Sequence, residues 1–200
     1  MESQKWRMTL LMSTIATATA TAAPATTVWN LDPAHSNVEF SVRHLMIATV
    51  KGRFAGVSGT VRLDEADPSR SAIAVTIDAA TIDTRVPQRD EHLRSADFFD
   101  VAQFPQLTFT SRQVSAKGGS EYVVVGDLTI RGATRQVKLA VTSHGEQIDP
   151  WGGRRAGFEA SGKISRSEFG LTWNQALETG GVVVGDDVKI SLDIELVAQA

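Results

Sequence analysis

The residues of this sequence that could carry chemistry are histidines and the charged residues around them. His35, His44 and His92, with Asp90 and Glu91 beside the last, form a candidate set of metal ligands. Their spacing contains neither H-x-x-x-H nor H-E-x-x-H, the patterns that bring two histidines to one helix face. The sequence has no cysteine, which excludes disulfides, thiolate nucleophiles and cysteine-based zinc sites. We predict no metal, and expect His35 and His92 to hydrogen-bond strand ends or a helix.

Two groups of basic residues could bind the polar head of a ligand. Arg89, His92 and Arg94 lie in one short segment, while Arg43 and His44 follow an apolar alternating segment. Arginine and histidine there could contact a pyrophosphate or a quinone oxygen, so these five residues are candidate head-group contacts. The same residues could instead form a structural network of salt bridges and caps that fixes a helix, and both interpretations stay open.

The sequence predicts no catalytic residue and no cofactor, so we expect a protein that is not an enzyme. Ser58, in GVSGT, lacks the G-x-S-x-G spacing and the strand-to-helix context of a nucleophile elbow. Gly180 and Gly181 belong to no phosphate-loop pattern. The remaining enzyme hypothesis is a periplasmic enzyme acting on a lipid, with Arg89, Asp90 and His92 as acid–base groups.

Composition and charge limit the classes of protein further. The chain has 200 residues, which suits one domain, and a formal net charge of −3. It shows no cluster of lysine and arginine that would neutralise phosphates, which argues against nucleic acid and against polybasic adhesion to a membrane.

The first residues have the layout of a cleavable signal peptide. Lys5 and Arg7 are followed by a mildly apolar stretch and by small residues, with A-x-A patterns that end at Ala20 and Ala22. We predict a signal peptide over residues 1–22, cleaved near one of these alanines, and a periplasmic protein. The apolar stretch is too short for a permanent membrane anchor. The alternative is a tail rich in threonine and alanine.

The elements that must position these residues are β-strands, because apolar and polar residues alternate with a period of two. Val38, Phe40 and Val42 alternate with polar residues, and the segment from Val188 to Leu196 does the same. Such segments are typical of antiparallel strands that cover one core. One short helix is predicted, roughly Gln88 to Ser95. The sequence predicts one all-β domain over residues 28–200, an extended antiparallel barrel of about eight strands with one short helix.

The apolar faces of these strands are expected to point inward, in a protein that is not integral to a membrane. A barrel in an outer membrane would carry aromatic girdles and a polar lumen, whereas aromatic residues make up 6% of this sequence. The large apolar residues then form the wall of a tunnel or, equally, a filled core. The candidate wall residues are Phe40, Val42, Phe54, Phe109, Leu128, Ile130, Phe158, Phe169, Trp173, Ile190 and Leu192.

Seven segments of the chain, in order, resemble the YceI-like, polyisoprenoid-binding family of exported bacterial proteins. They are LDPAHSNVEFSVRHL (Leu31–Leu45), VKGRFAGVSGTV (Val50–Val61), IDTRVPQRDEHLRSADFFDV (Ile82–Val101), FPQLTFTS (Phe104–Ser111), VVGDLTIRGATRQV (Val124–Val137), GFEASGKISRSEFGLTW (Gly157–Trp173) and VGDDVKISLDIEL (Val184–Leu196).

The resemblance implies a lipocalin-like barrel that holds a long isoprenoid or similar amphiphile in an apolar tunnel. It implies no cofactor and no catalytic residue, and it makes a homodimer a reasonable expectation. The partner is then a polyisoprenoid, an isoprenoid quinone or a similar long-chain lipid. An alternative use of the same tunnel is sequestration of amphiphilic toxins or antibiotics.

Overall fold

The structure is a computed structural model that describes residues 26–176 and 181–199. The predicted signal peptide, residues 1–22, lies outside the described residues. Within them the chain forms eleven strands and one α-helix. These are β1 (Thr26–Leu31), β2 (Asn37–His44), β3 (Ala48–Phe54), β4 (Val57–Asp64), β5 (Ala72–Asp78), β6 (Ile82–Asp83), α1 (Pro87–Arg94), β7 (Gln106–Gly118), β8 (Glu121–Ile130), β9 (Ala133–Ile148), β10 (Arg154–Ser165) and β11 (Val184–Ala198).

Eight of these strands close into an antiparallel ring. Their order is β1-β4-β5-β7-β8-β9-β10-β11, and pairing of β11 with β1, at Leu31 and Leu196, closes the ring. Four of the eight neighbouring pairs in the ring, β4–β5, β7–β8, β8–β9 and β9–β10, are joined by short connections. The expected all-β barrel of about eight strands with one helix is confirmed.

Three further strands extend the sheet beside the ring. β11 is long enough to pair with two neighbours along one edge: its end pairs with β1, and its earlier part pairs with β2 between Val188 and Asp193. β3 then pairs with β2, and the two-residue β6 pairs with β3. This extension carries the chain to the helix that lies across one end of the barrel.

The alternation seen in the sequence sets the two faces of each strand. Along β11, Lys189, Ser191 and Asp193 are exposed to solvent, while the apolar residues between them face inward. A strand with this period must place every second residue on the same face, so one apolar face is buried.

The helix α1 begins at Pro87 and ends at Arg94, one residue earlier at both ends than predicted. Proline fits the first helical position because its missing N–H has no partner there in any case. Among the described residues, no helix is long and apolar enough to cross a membrane.

Candidate functional site

An elongated apolar cavity of about 490 Å³ runs through the barrel. All eight strands of the ring contribute side chains to it. The volume lies within the roughly 300–1,000 Å³ of typical small-molecule sites. The lining is apolar along its middle and partly polar at one end. We call this end the rim, and define it by Glu65, Ser71, Ser143 and Glu146.

The opposite end of the cavity, which we call the helix end, is lined by Leu93 of α1 together with Phe98, Phe99 and Leu171. Phe54 extends this apolar lining, since its ring centroid lies 5.7 Å from that of Phe99, edge to face. The helix end of the lumen is therefore covered mainly by aromatic and aliphatic side chains, with the buried guanidinium of Arg166 beside Leu171.

Between the two ends the lumen is long enough for a chain-like molecule. β11 alone contributes Val188, Ile190, Leu192, Ile194 and Leu196 to the lining. These five positions span about 26 Å along the strand at about 3.3 Å per residue. The cavity is therefore a tunnel lined by every second residue of its strands, and not a compact pocket.

Two phenylalanine rings stay against the wall because they pack over glycines. A Cβ atom on Gly52 would lie 2.4 Å from Cζ of Phe40, and one on Gly126 would lie 2.4 Å from Cζ of Phe109. Non-bonded carbon atoms do not approach each other so closely, so each ring occupies the space that a side chain on the glycine would need. Aromatic rings that cover strand glycines in this way stabilise a curved sheet and leave the lumen clear.

Nine of the eleven predicted wall residues line this cavity. They are Phe40, Val42, Phe54, Phe109, Leu128, Ile130, Phe158, Ile190 and Leu192.

The structure corrects the prediction for the other two, Phe169 and Trp173, which are not among the lining residues. Phe169 ends a 3₁₀ turn after β10 and is 1% exposed. Trp173 packs instead against α1 and the loop after it, with its ring centroid 4.9 Å from that of His92 and 5.3 Å from that of Phe98. The turn takes both rings out of the strand register, so the period of two no longer applies to them.

The five predicted head-group residues are likewise not among the residues that line the cavity. Arg89 donates from Nε to Oγ1 of Thr84 at 2.7 Å and from Nη2 to its carbonyl at 2.8 Å. Arg94 donates to the carbonyls of Ala80 and Ile82, at 2.8 and 2.9 Å. Both arginines thus attach α1 to the chain that precedes it. This agrees with the alternative interpretation, in which these residues form a network that fixes a helix.

The remaining members of this group are similarly engaged. His92 Nε2 lies 2.9 Å from Oδ2 of Asp97. Arg43 is exposed and lies 3.4 Å from Oγ1 of Thr49, across the β2–β3 hairpin, and His44 pairs in the sheet at the end of β2. The cavity therefore receives no head-group contact from these positions.

The acid–base set of the enzyme hypothesis is drawn into the same structural network. Asp90 is buried, and its carboxylate accepts a hydrogen bond from the backbone N–H of Thr84 at 2.9 Å. Arg89 binds the same threonine. Arg89, Asp90 and His92 therefore contact their own neighbours and are not among the residues that line the lumen.

The predicted histidines do not come together, but His35 joins a different cluster. Its Nδ1 lies 3.0 Å from Asp32 and 3.8 Å from Glu195. Arg155 also binds both carboxylates and, through Nε, Asp149 at 2.8 Å. The hydrogen bonds from His35 and Arg155 lower the pKa of Asp32 from 3.8 to about 2. Since a guanidinium already supplies the positive charge, this cluster is an ion-pair network.

Arg166 is a lining residue that the sequence analysis missed. It is 6% exposed, and its guanidinium donates to the carbonyls of Gly185 and Trp173 at 2.9 Å and also to that of Leu171. Burial lowers its pKa. The strand pattern gave no signal for it, because Arg166 follows the end of β10 at Ser165 and begins the 3₁₀ turn with a helical backbone.

The rim is crossed by an ion-pair bridge. Nη2 of Arg154 lies 2.7 Å from Oε2 of Glu146 and 3.2 Å from Oε1 of Glu65. Glu65 directly follows β4 and Glu146 belongs to β9, and these two strands lie four places apart in either direction around the ring. The Arg154 guanidinium also lies 5.2 Å from the ring centroid of Trp29. We call this bridge the rim latch (Arg154, Glu65 and Glu146).

Comparison with known proteins places these features in a family. The model of the YceI-like domain matches residues 29–196. Protein YceI of Salmonella newport (strain SL254) is 46% identical over 138 residues, 69% of this chain and 72% of that protein.

Solved structures share the fold. BcnA of Burkholderia cenocepacia is 27% identical, with a TM-score of 0.73 over 82% of this chain and 98% of BcnA. The YCEI protein of Campylobacter jejuni is 30% identical, with a TM-score of 0.68 over 79% of this chain and 90% of that chain.

Proposed function

This chain belongs to the YceI-like domain family, and from that premise we propose that it is an exported carrier or reservoir for a long-chain lipid. The ligand class is a polyisoprenoid, an isoprenoid quinone or a similar amphiphile, held in the tunnel of the barrel. The mechanism is reversible partition of an apolar chain out of water, with no bond made or broken.

The observation that carries this proposal is the continuous apolar lining between the rim and the helix end. Every ring strand contributes to it, and β11 contributes five consecutive inward residues. Each CH₂ group removed from water contributes about 0.8 kcal/mol, so a five-carbon prenyl unit contributes roughly 3–4 kcal/mol before ordering costs. Several units give tight retention without a specific polar contact, and an apolar wall of this kind selects length and width over chemical identity.

Export to the periplasm is part of the proposal. It is supported by the basic start at Lys5 and Arg7 and by the small residues up to Ala20 and Ala22, which suit a signal peptidase site. A reservoir in that compartment would meet lipids that leave a membrane.

The test compares two single substitutions at neighbouring positions of β10. Ala160 on β10 lines the lumen, while its neighbour Ser161 is exposed on the outer face. Ala160→Trp puts an indole into the tunnel, and Ser161→Trp adds the same group outside it. Native mass spectrometry of protein purified gently from its own host, followed by titration with geranylgeraniol, measures occupancy of both.

We expect a co-purifying lipid in the wild-type chain and in Ser161→Trp. In Ala160→Trp we expect that lipid to be lost and the Kd for geranylgeraniol to rise by at least about tenfold, since the volume it needs is filled. An empty wild-type chain in repeated preparations, or unchanged binding in Ala160→Trp, would rule out the carrier.

A further inference from the structure

The tip of the β9–β10 hairpin exposes two large apolar side chains beside the rim. Ile148 is 73% exposed and Trp151 is 86% exposed. Ile148 follows Glu146 of the rim by two residues, and its cross-strand partner is Arg154 of the rim latch. The exposed tip and the polar end of the tunnel therefore belong to one hairpin.

The tip is held in shape by its own hydrogen bonds. The carboxylate of Asp149 accepts from the backbone N–H groups of Trp151, at 3.0 Å, and Gly153, at 2.8 Å. Arg155 fixes the same carboxylate from the strand, at 2.8 Å. Trp151 is thus presented to solvent by an ordered turn, which lowers the entropy lost when the tip binds a surface.

We propose that this tip docks the rim on a lipid bilayer, and that the rim latch opens there to admit the apolar chain. The inference rests on the proposed function, because a carrier of this class must exchange its ligand with a membrane. An indole has an apolar body and a polar N–H, and is suited to the interface between lipid and water.

Charge and area favour a bilayer over a protein partner. The two arginines next to the tip, Arg154 and Arg155, are both paired with carboxylates, so the tip is not a basic patch. Two side chains present far less than the roughly 800 Å² per partner of a stable protein interface. Insertion of a few apolar groups into lipid needs no such area.

The rim latch has the properties of a closure that can open. Through Arg154 the latch links Glu65, after β4, to Glu146 of β9 on the other side of the ring, and Arg154 and Glu65 are 44% and 58% exposed. Exposed ion pairs contribute little to stability, so breaking them when the hairpin contacts lipid requires little free energy.

Docking is tested with the full chain and phosphatidylcholine vesicles that contain brominated phosphatidylcholine. The test variant is Ile148→Ser/Trp151→Ser. The matched control is Met46→Ser/Ile47→Ser, on the β2–β3 hairpin at the helix end, where the two side chains are 56% and 81% exposed. The readouts are co-sedimentation and bromine quenching of tryptophan fluorescence.

We expect the wild-type chain and the control to bind vesicles with quenched fluorescence, at low and high salt alike. The tip variant should lose at least about fivefold in bound fraction. No binding by the wild-type chain, full binding by the tip variant, or an equal loss in the control would overturn the docking. So would a wild-type dimer in analytical ultracentrifugation that the tip variant abolishes, since the tip would then be a contact between copies of the chain.

Opening of the rim latch is tested with Arg154→Met, which keeps the stem of the side chain and removes its charge. Transfer of geranylgeraniol from vesicles should speed up at least about fivefold, with its equilibrium Kd in solution unchanged. Unchanged transfer would refute the latch.

Binding of geranylgeraniol from solution by the tip variant separates the two proposals. If the tip variant binds geranylgeraniol normally but the wild-type chain does not dock on vesicles, only this inference fails. If neither chain binds geranylgeraniol, the carrier proposal fails.

Discussion

Arg155 and the carboxylates around it fix the point where β11 changes neighbours. Asp32 follows β1, and its backbone N–H donates to the carbonyl of Glu195 at 2.9 Å. Arg155 reaches both acids from β10, and His35 binds Asp32 from the loop before β2. These contacts hold the loop between β1 and β2 against β11, where the ring separates from its three-strand extension.

The loss of folding stability at acidic pH should depend on Asp32. Its pKa in the folded chain, about 2, lies below the ordinary 3.8. The carboxylate therefore stabilises the fold at pH above about 4, and this contribution disappears as the pH falls towards 2. We expect Asp32→Asn to lower the urea midpoint at pH 6, with the difference from the wild-type chain vanishing near pH 2. A difference that stays constant over this range would contradict the assignment.

The type of a residue predicted its position only where the strand register continued. Phe158 and Phe169 are both apolar, but the first lies in β10 and lines the lumen, whereas the second lies in the turn after it. Arg166 also lies after the end of β10, and it lines the lumen because the turn, and not the strand register, directs it inward. The predicted head-group residues lie outside the lumen for a related reason: hydrogen bonds to nearby carbonyls engage Arg89 and Arg94, and these contacts cannot be seen in the sequence.

Strands and the helix followed from local patterns, whereas the pairing of distant strands did not. The alternation of β11 and the proline at the start of α1 mark elements that form for local reasons. The order of the ring joins β1 to β4 and β11, and no periodicity encodes that choice. The length of β11 was the available clue, since a strand of 15 residues can pair with two shorter strands along one edge.

The glycine-over-phenylalanine contacts should be sensitive to one methyl group. In Gly52→Ala the new Cβ would lie 2.4 Å from Cζ of Phe40 and 2.8 Å from Cγ2 of Thr84. The ring must move into the lumen, which should destabilise the chain by about 1–3 kcal/mol in urea denaturation and weaken binding of geranylgeraniol.

The matched second variant adds Phe40→Leu to Gly52→Ala. Leucine is smaller than the ring, so the double variant should recover part of the lost stability and of the binding. Full stability of Gly52→Ala, or no recovery in the double variant, would show that Phe40 does not depend on this glycine.

As a whole, residues 26–176 and 181–199 form a sheet closed around a space that their side chains leave unfilled. The helix end is covered by α1 and its aromatic neighbours, and the rim is crossed by Arg154. A mainly apolar tunnel with a polar rim suits an amphiphile whose chain enters through the rim, since a head group at the rim can stay in contact with water. Fold class and nine wall residues were predictable from the pattern of apolar residues, but the tunnel itself was not, because a filled core has the same pattern.

The most direct test of a hollow, lipid-binding barrel is the Kd for prenyl alcohols of increasing length, measured in solution from geraniol through farnesol to geranylgeraniol and longer chains. If the chain partitions into the tunnel, the Kd should fall at least about tenfold for each added prenyl unit until the tunnel is full, and then level off. A Kd that does not change with chain length would contradict the account, because binding would then depend on contacts other than the apolar wall.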